Sequence, residues 1–115
     1  MSQSSRAPMS EPSYFVLAAL MNGPLHGYAI IKAALDLSGG RFTLAVGTLY
    51  SVLDRLAREE YVTVAGEEIV NGRARRYFAL TDAGRSALQY EADRMAQAAR
   101  VVNLPATERI GVNPA

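Results

Sequence analysis

From Tyr14 to Met21 nearly every residue is apolar, and Ser10, Glu11 and Pro12 stand just before this run. A hydroxyl cap, a first-turn acid and a proline whose missing N–H costs little there together predict a helix start. A helix that is apolar on most sides is expected to be buried on more than one of them. Asn22-Gly23-Pro24 ends it, since glycine tolerates a left-handed stop and proline forbids continuation. A second helix, roughly His26 to Ser38, carries Tyr28, Ile30, Ile31, Ala34 and Leu35 at helical spacing and closes at Ser38-Gly39-Gly40.

The third helix, expected to be capped by Thr43 and to run to about Glu59, is the most informative. At about 100° per residue, Val46, Leu49, Val52, Leu53 and Leu56 share one face. Gly47, Ser51, Asp54 and Arg58 point away from it, with Thr48, Tyr50 and Arg55 on the flanks. An ordinary surface helix fills its outer face with Glu, Lys and Gln. The N-terminal half of this one offers small hydrogen-bonding residues, which suits close approach to another polar surface. A DNA major groove is such a surface.

The period then changes. Val62, Val64, Ile69 and Val70 favour a strand, and Arg76, Phe78 and Leu80 alternate with Arg75, Tyr77 and Ala79. Asn71-Gly72 between these runs is a strong hairpin signal. Thr81-Asp82 caps a last helix that extends to Val102 or Asn103, and Leu104-Pro105 stops it. The expected fold class is mainly α with a two-stranded β wing, a winged helix-turn-helix followed by a C-terminal dimerisation helix. The expected division is a flexible tail over 1–9, the winged unit over 10–81, the dimerisation helix over 82–103 and a second flexible tail over 104–115.

Composition narrows the function classes. Half the 115 residues are hydrophobic and a fifth are charged, which is globular rather than disordered. The absence of cysteine excludes disulfides and thiolate metal sites. No apolar run reaches the roughly 18 residues of a membrane span, and residues 1–8 lack the apolar stretch of a signal peptide, so a cytoplasmic protein is expected. A net charge of +1 says little about partners, so a nucleic-acid argument must rest on where the charges sit. Neither Glu59-Glu60 nor Glu67-Glu68 has a nucleophile or base beside it, and His26 is the only histidine. No enzyme activity, metal or cofactor is expected.

The candidate DNA contacts are Gly47, Thr48, Tyr50 and Ser51 on the third helix, with Arg55, Arg58 and Lys32 as further phosphate contacts. In the wing, a two-residue Asn71-Gly72 turn pairs Val70 with Arg73, Ile69 with Ala74, Glu68 with Arg75 and Glu67 with Arg76. Opposite charges facing across a hairpin attract. Arg75 and Arg76 are therefore expected to be partly neutralised, leaving Arg73 at the tip as the first choice for the minor groove or a phosphate, with Arg75 as a further candidate DNA contact. In the last helix Leu88, Ala92, Met95, Ala99 and Val102 form an apolar stripe at spacings of three and four. Dimerisation is the simplest way to bury it.

Three motifs carry a resemblance to a known family. They are Gly23-Pro24-Leu25-His26-Gly27-Tyr28, then Gly47-Thr48-Leu49-Tyr50, then Gly72-Arg73-Ala74-Arg75-Arg76-Tyr77-Phe78-Ala79-Leu80-Thr81-Asp82-Ala83-Gly84. Over roughly Tyr14 to Ala99 the chain resembles the PadR-type transcriptional regulators, in their shorter branch with one helix after the wing. The resemblance implies a cytoplasmic homodimer on pseudo-palindromic double-stranded DNA, a repressor released by a small aromatic or cationic effector. Tyr14, Phe15, Tyr90 and Met95 are the candidates for an effector cavity. One departure from the family pattern is Glu60, where a glycine usually ends the third helix. The rival function is a winged-helix protein-interaction module that binds no DNA, favoured by Glu59, Glu60, Glu67 and Glu68 near the proposed DNA side.

Overall fold

The computed structural model describes residues 8–105. Helix α1 spans Glu11–Ala19, strand β1 Leu25–His26, helix α2 Gly27–Leu37 and helix α3 Val46–Arg58. Strands β2 (Val62–Val70) and β3 (Arg73–Leu80) form the wing, and helix α4 runs Asp82–Asn103. The expected tails lie outside the described residues except for Pro8, Met9, Leu104 and Pro105.

Local chemistry explains most boundaries. Ser10 Oγ accepts the Ser13 N–H at 3.3 Å and caps α1. His26 Nδ1 accepts the Ala29 N–H at 3.4 Å and caps α2. Thr81 Oγ1 accepts the Gly84 N–H at 2.9 Å and caps α4. Helix α3 differs from the expectation. Its cap is Ala45 rather than Thr43, and no side chain bonds its first turn.

The other end of α3 is built with care. The Tyr61 N–H reaches Leu56 O and the Glu60 N–H reaches Ala57 O, both at 2.9 Å. These two bonds make a Schellman stop, whose left-handed residue is Glu60 at φ 64°. The turn is therefore the one glycine would make, and the glutamate bears the strain. Thr81 Oγ1 donates to Glu60 O at 2.6 Å and holds the strained residue in place.

The sheet has one strand more than expected. Its order is β1-β3-β2, all antiparallel, with β1 contributing only Leu25 opposite Phe78 and His26 opposite Tyr77. Two residues beside Gly-Pro carry no period by which sequence could reveal a strand. The wing register is as expected, from Val70↔Arg73 to Glu67↔Arg76. Ala65 is an extra residue between Val64↔Phe78 and Gly66↔Tyr77, and such a bulge bends and twists the wing. Asn71 (φ 52°) and Gly72 (φ 77°) both take the left-handed conformation that a two-residue hairpin turn demands.

The core gathers Val16, Leu17 and Leu20 from α1, Ile30 from α2, Leu49, Val52, Leu53 and Leu56 from α3, and Leu88 from α4. Helix α1 is thus covered on several sides, as its composition demands. One residue departs from its expected face: Val46, at the open start of α3, is 51% exposed. Tyr28, in the first turn of α2, is 76% exposed.

Candidate nucleic-acid interface

The N-terminal half of α3 stands clear of the scaffold. Gly47, Thr48 and Ser51 are exposed, and a Cβ added at Gly47 would meet no atom within 4 Å. The glycine is therefore not required by packing inside the protomer. Uncapped N–H groups at this end point along the positive end of the helix dipole. Tyr50 serves both sides. Its ring lies edge-on to Phe78 at 6.4 Å, and its hydroxyl rests where a Gly27 Cβ would come within 2.8 Å. Glycine at 27 is thus what lets Tyr50 lie against the start of α2, while 49% of Tyr50 remains exposed.

An open groove of about 490 Å³ runs between the start of α2 and the wing, bordered by Tyr50 of α3. His26, Tyr28, Arg73, Arg75 and Arg76 also line it. Of these, sequence reasoning named Tyr50, Arg73 and Arg75 as contacts. Helical spacing alone does not single out Tyr28, which shares the period of Ile30 and Ala34; its signal is its place in the first turn, ahead of the buried Ile30.

The wing arginines are not neutralised as the register alone suggests. Arg76 Nε does lie 3.6 Å from Glu67 Oε2. Glu68, however, accepts the Tyr77 hydroxyl at 3.0 Å, and among the described residues Arg75 has no carboxylate within 4 Å. Facing positions in a ladder do not oblige long side chains to pair, and here the tyrosine takes the acid. Arg73 at the tip likewise has no acidic partner among the described residues.

Arg55 is bonded to the start of α1. Its Nη2 donates to Ser13 Oγ at 3.0 Å and reaches Ser10 Oγ at 3.5 Å, tying α3 to the first turn of α1. It braces α3 against the start of α1. Lys32 and Arg58 stay exposed, each in a loose i,i+4 pair, with Asp36 at 3.9 Å and Asp54 at 4.0 Å.

The stripe on α4 divides in two. Leu88 is 5% exposed and sits in the core of its own protomer, so it is withdrawn from any surface for a second copy. Ala92 is half-buried, whereas every residue from Asp93 to Asn103 is exposed. Of the four proposed effector residues, two pack on one another. Phe15 stacks on Phe42 at 5.6 Å and Tyr14 lies edge-on to Phe15 at 5.4 Å, which is scaffold packing. A separate cavity of about 290 Å³ lies among α1, α3 and α4, lined by Ser13, Arg55, Glu59, Tyr61 and Glu91. Glu91 is 4% exposed, and its carboxylate takes a two-pronged hydrogen bond from Arg94. That bond, aided by the arginine's charge and the Met9 N–H, holds its pKa below the ordinary value despite burial.

No group of His, Cys, Asp and Glu able to hold a metal occurs among the described residues, and none of the helices is long and apolar enough to cross a membrane.

Comparison with known proteins agrees with this geometry. The chain is 44% identical over 88 residues to a 37.1 kDa protein of transposon TN4556 from Streptomyces fradiae, covering 76% of this chain and 24% of that protein. It is 33% identical over 69 residues to the transcriptional regulator YqjI of Escherichia coli (strain K12), covering 60% of this chain and 31% of the regulator. The chain thus spans a third or less of these two relatives. Among solved structures it superposes on Bacillus subtilis PadR in complex with operator DNA with a TM-score of 0.63 and 26% identity, over 72% of this chain and 47% of that one. The model of the PadR-like family of transcriptional regulators matches residues 16–90, from the second half of α1 through α2, α3 and the wing to the start of α4. The chain belongs to the PadR-like family, whose members are transcription regulators and not enzymes.

Proposed function

We propose that this DNA-binding regulator acts as a homodimeric repressor, with the start of α3 in the major groove and the wing on the adjacent backbone. The observation that carries the reading is the open first half of α3. Gly47, Thr48 and Ser51 are exposed beside a groove lined by arginines, and Gly47 has no packing role. The likeness to a PadR solved on operator DNA supports the same placement. Residues 10–81 read DNA in this scheme and 82–103 bring two copies together.

Dimerisation through α4 follows from the physics of its second half. From Asp93 to Asn103 the helix projects beyond the core with no cover from its own chain among the described residues. Met95 and Ala99 continue the line of Ala92 along it, and a second copy of α4 is the symmetric cover. Two reading helices related by a two-fold then meet half-sites about one helical turn apart, or a multiple of it. Occupancy of a promoter by such a dimer lowers transcription, and a protein acting on the chromosome works in the cytoplasm. Release by a small effector is supported by the cavity among α1, α3 and α4, where a ligand touches both the reading helix and the dimerisation helix. That cavity replaces Tyr14, Phe15, Tyr90 and Met95 as the proposed effector site.

The test is titration of the protein against duplexes from its own upstream region, paired with sedimentation. Met95→Glu is expected to sediment as a monomer, stay folded and lose operator binding. A wild-type protein that is monomeric at micromolar concentration would contradict the dimer, and one that prefers no duplex over another would contradict the regulator reading.

A further inference from the structure

Three successive residues at the start of α3 carry no hydrogen-bonding group on their side chains. Ala45, Val46 and Gly47 are all exposed, and Ala45 stands in the cap position without a side-chain bond to the first turn. Val46 shares the helical period of Leu49 and Leu53, yet 51% of it is open, against 0% and 2% for those two. The chain thus keeps a branched apolar side chain at the first position of the helix and leaves half of it outside the core. Valine has one strongly preferred rotamer in a helix, so the surface it offers is already ordered. Beside it, a Cβ added at Gly47 would meet no atom within 4 Å, which leaves room for another surface to come close. One turn on, Tyr50 keeps 49% of its surface exposed on the same side of the helix and extends the apolar edge.

We infer that Val46 is a specificity-determining residue that selects thymine, by packing on the C5-methyl group of one base in each half-site. In the major groove guanine, adenine and cytosine are told apart by their hydrogen-bond donors and acceptors. A side chain with neither donor nor acceptor cannot read those patterns. The thymine methyl is the one apolar group that a base edge presents there, and an exposed isopropyl group is its complement. Thr48 and Ser51, exposed further round the helix, keep their hydroxyls for other positions. Packing on a methyl releases no counterion, so the contact adds affinity without changing its salt dependence. The inference rests on the placement of α3 in the major groove and adds to it the identity of a base and the residue that reads it.

The experiment takes the duplex that the protein prefers from its own upstream region and replaces each thymine of a half-site, with its symmetric mate, by deoxyuridine. Each replacement removes a methyl group and leaves every hydrogen bond of the base in place. At one thymine, wild type is expected to lose about fourfold in affinity per half-site, about 15-fold per dimer. At that position Val46→Ala is expected to bind the thymine and deoxyuridine duplexes within about twofold of each other, with the salt slope of wild type. Val46→Thr keeps one methyl and the branched shape, so its preference for thymine should fall between the two. Circular dichroism checks the fold of both variants, and the deoxyuridine scan of wild type depends on neither. If no replacement costs wild type more than about twofold, the reading of a thymine methyl is overturned and DNA binding stands. If Val46→Ala remains as sensitive as wild type at the same thymine, another residue reads the methyl and the assignment of Val46 is overturned. If wild type prefers no duplex over another, the regulator reading falls and the role of Val46 with it.

Discussion

The two ends of α3 are finished in opposite ways. Its C-terminal end is tied to the rest of the fold. The Schellman bonds satisfy the last carbonyls, Thr81 pins Glu60, and Arg55 is tied to two serines of α1. The N-terminal end has no side-chain cap, an unobstructed glycine and exposed hydroxyls. The end that meets its own scaffold is completed within the chain, and on the proposed reading the open end is left for DNA to complete. Arginine shows the same contrast. Arg55 is bonded inside the protomer, whereas Arg73 and Arg75 have no acid within 4 Å among the described residues.

The contrast can be broken first at Gly84. A Cβ there would lie 2.1 Å from Tyr61 O, a backbone atom in the turn that ends α3. Gly84→Ala is expected to destabilise the fold by about 3 kcal/mol or more, because neither backbone can give way cheaply. Urea unfolding measures it, and a loss below about 1 kcal/mol would show that the scaffold end is not rigid.

Gly47→Leu probes the opposite end. The added side chain enters open space, so stability should stay within about 0.5 kcal/mol of wild type. Operator affinity should fall about 100-fold as the helix is held off the groove, equivalent to about 2.8 kcal/mol. Retention of affinity within about twofold would remove α3 from the groove.

Arg55→Ala sharpens the distinction between the two kinds of arginine. It should lower stability by about 1 kcal/mol through the lost Ser13 bond, which lies at a partly exposed site. The salt slope of operator binding should not change, in contrast to Arg73→Ala, which should flatten it by about two per dimer. An equal drop in slope for both variants would place Arg55 on the DNA and overturn its bracing role.

The smallest effect is a gain. Glu60→Gly relieves a left-handed glutamate, worth roughly 1–2 kcal/mol, against the entropy that glycine adds to the unfolded chain. A net stabilisation of about 0.5–1 kcal/mol is expected, with operator affinity unchanged. Thermal melts at matched concentration would reveal it, and a lower melting temperature would mean that the Glu60 side chain contributes something at this turn that its strain conceals.

Much of this molecule was legible along the chain because the relevant forces act between near neighbours. The order of helices, the caps at Ser10 and Thr81, the left-handed pair Asn71-Gly72 and the register of the wing all follow from local geometry. So does the division of α3 into a greasy face and a small polar one, except at Val46, where the helix begins beyond the core. Tertiary structure decided the rest. Long side chains choose among partners that only folding brings within reach, so Glu68 went to Tyr77 and Arg55 to the serines of α1. The stripe on α4 read as continuous, yet the chain ahead of it covers Leu88 and ends before Met95. Strand β1 exists only because β3 lies beside Leu25-His26. Periodicity along a sequence says which face of a helix is apolar. How far along its length that face is covered, and what stands opposite each charge, depends on residues dozens of positions away.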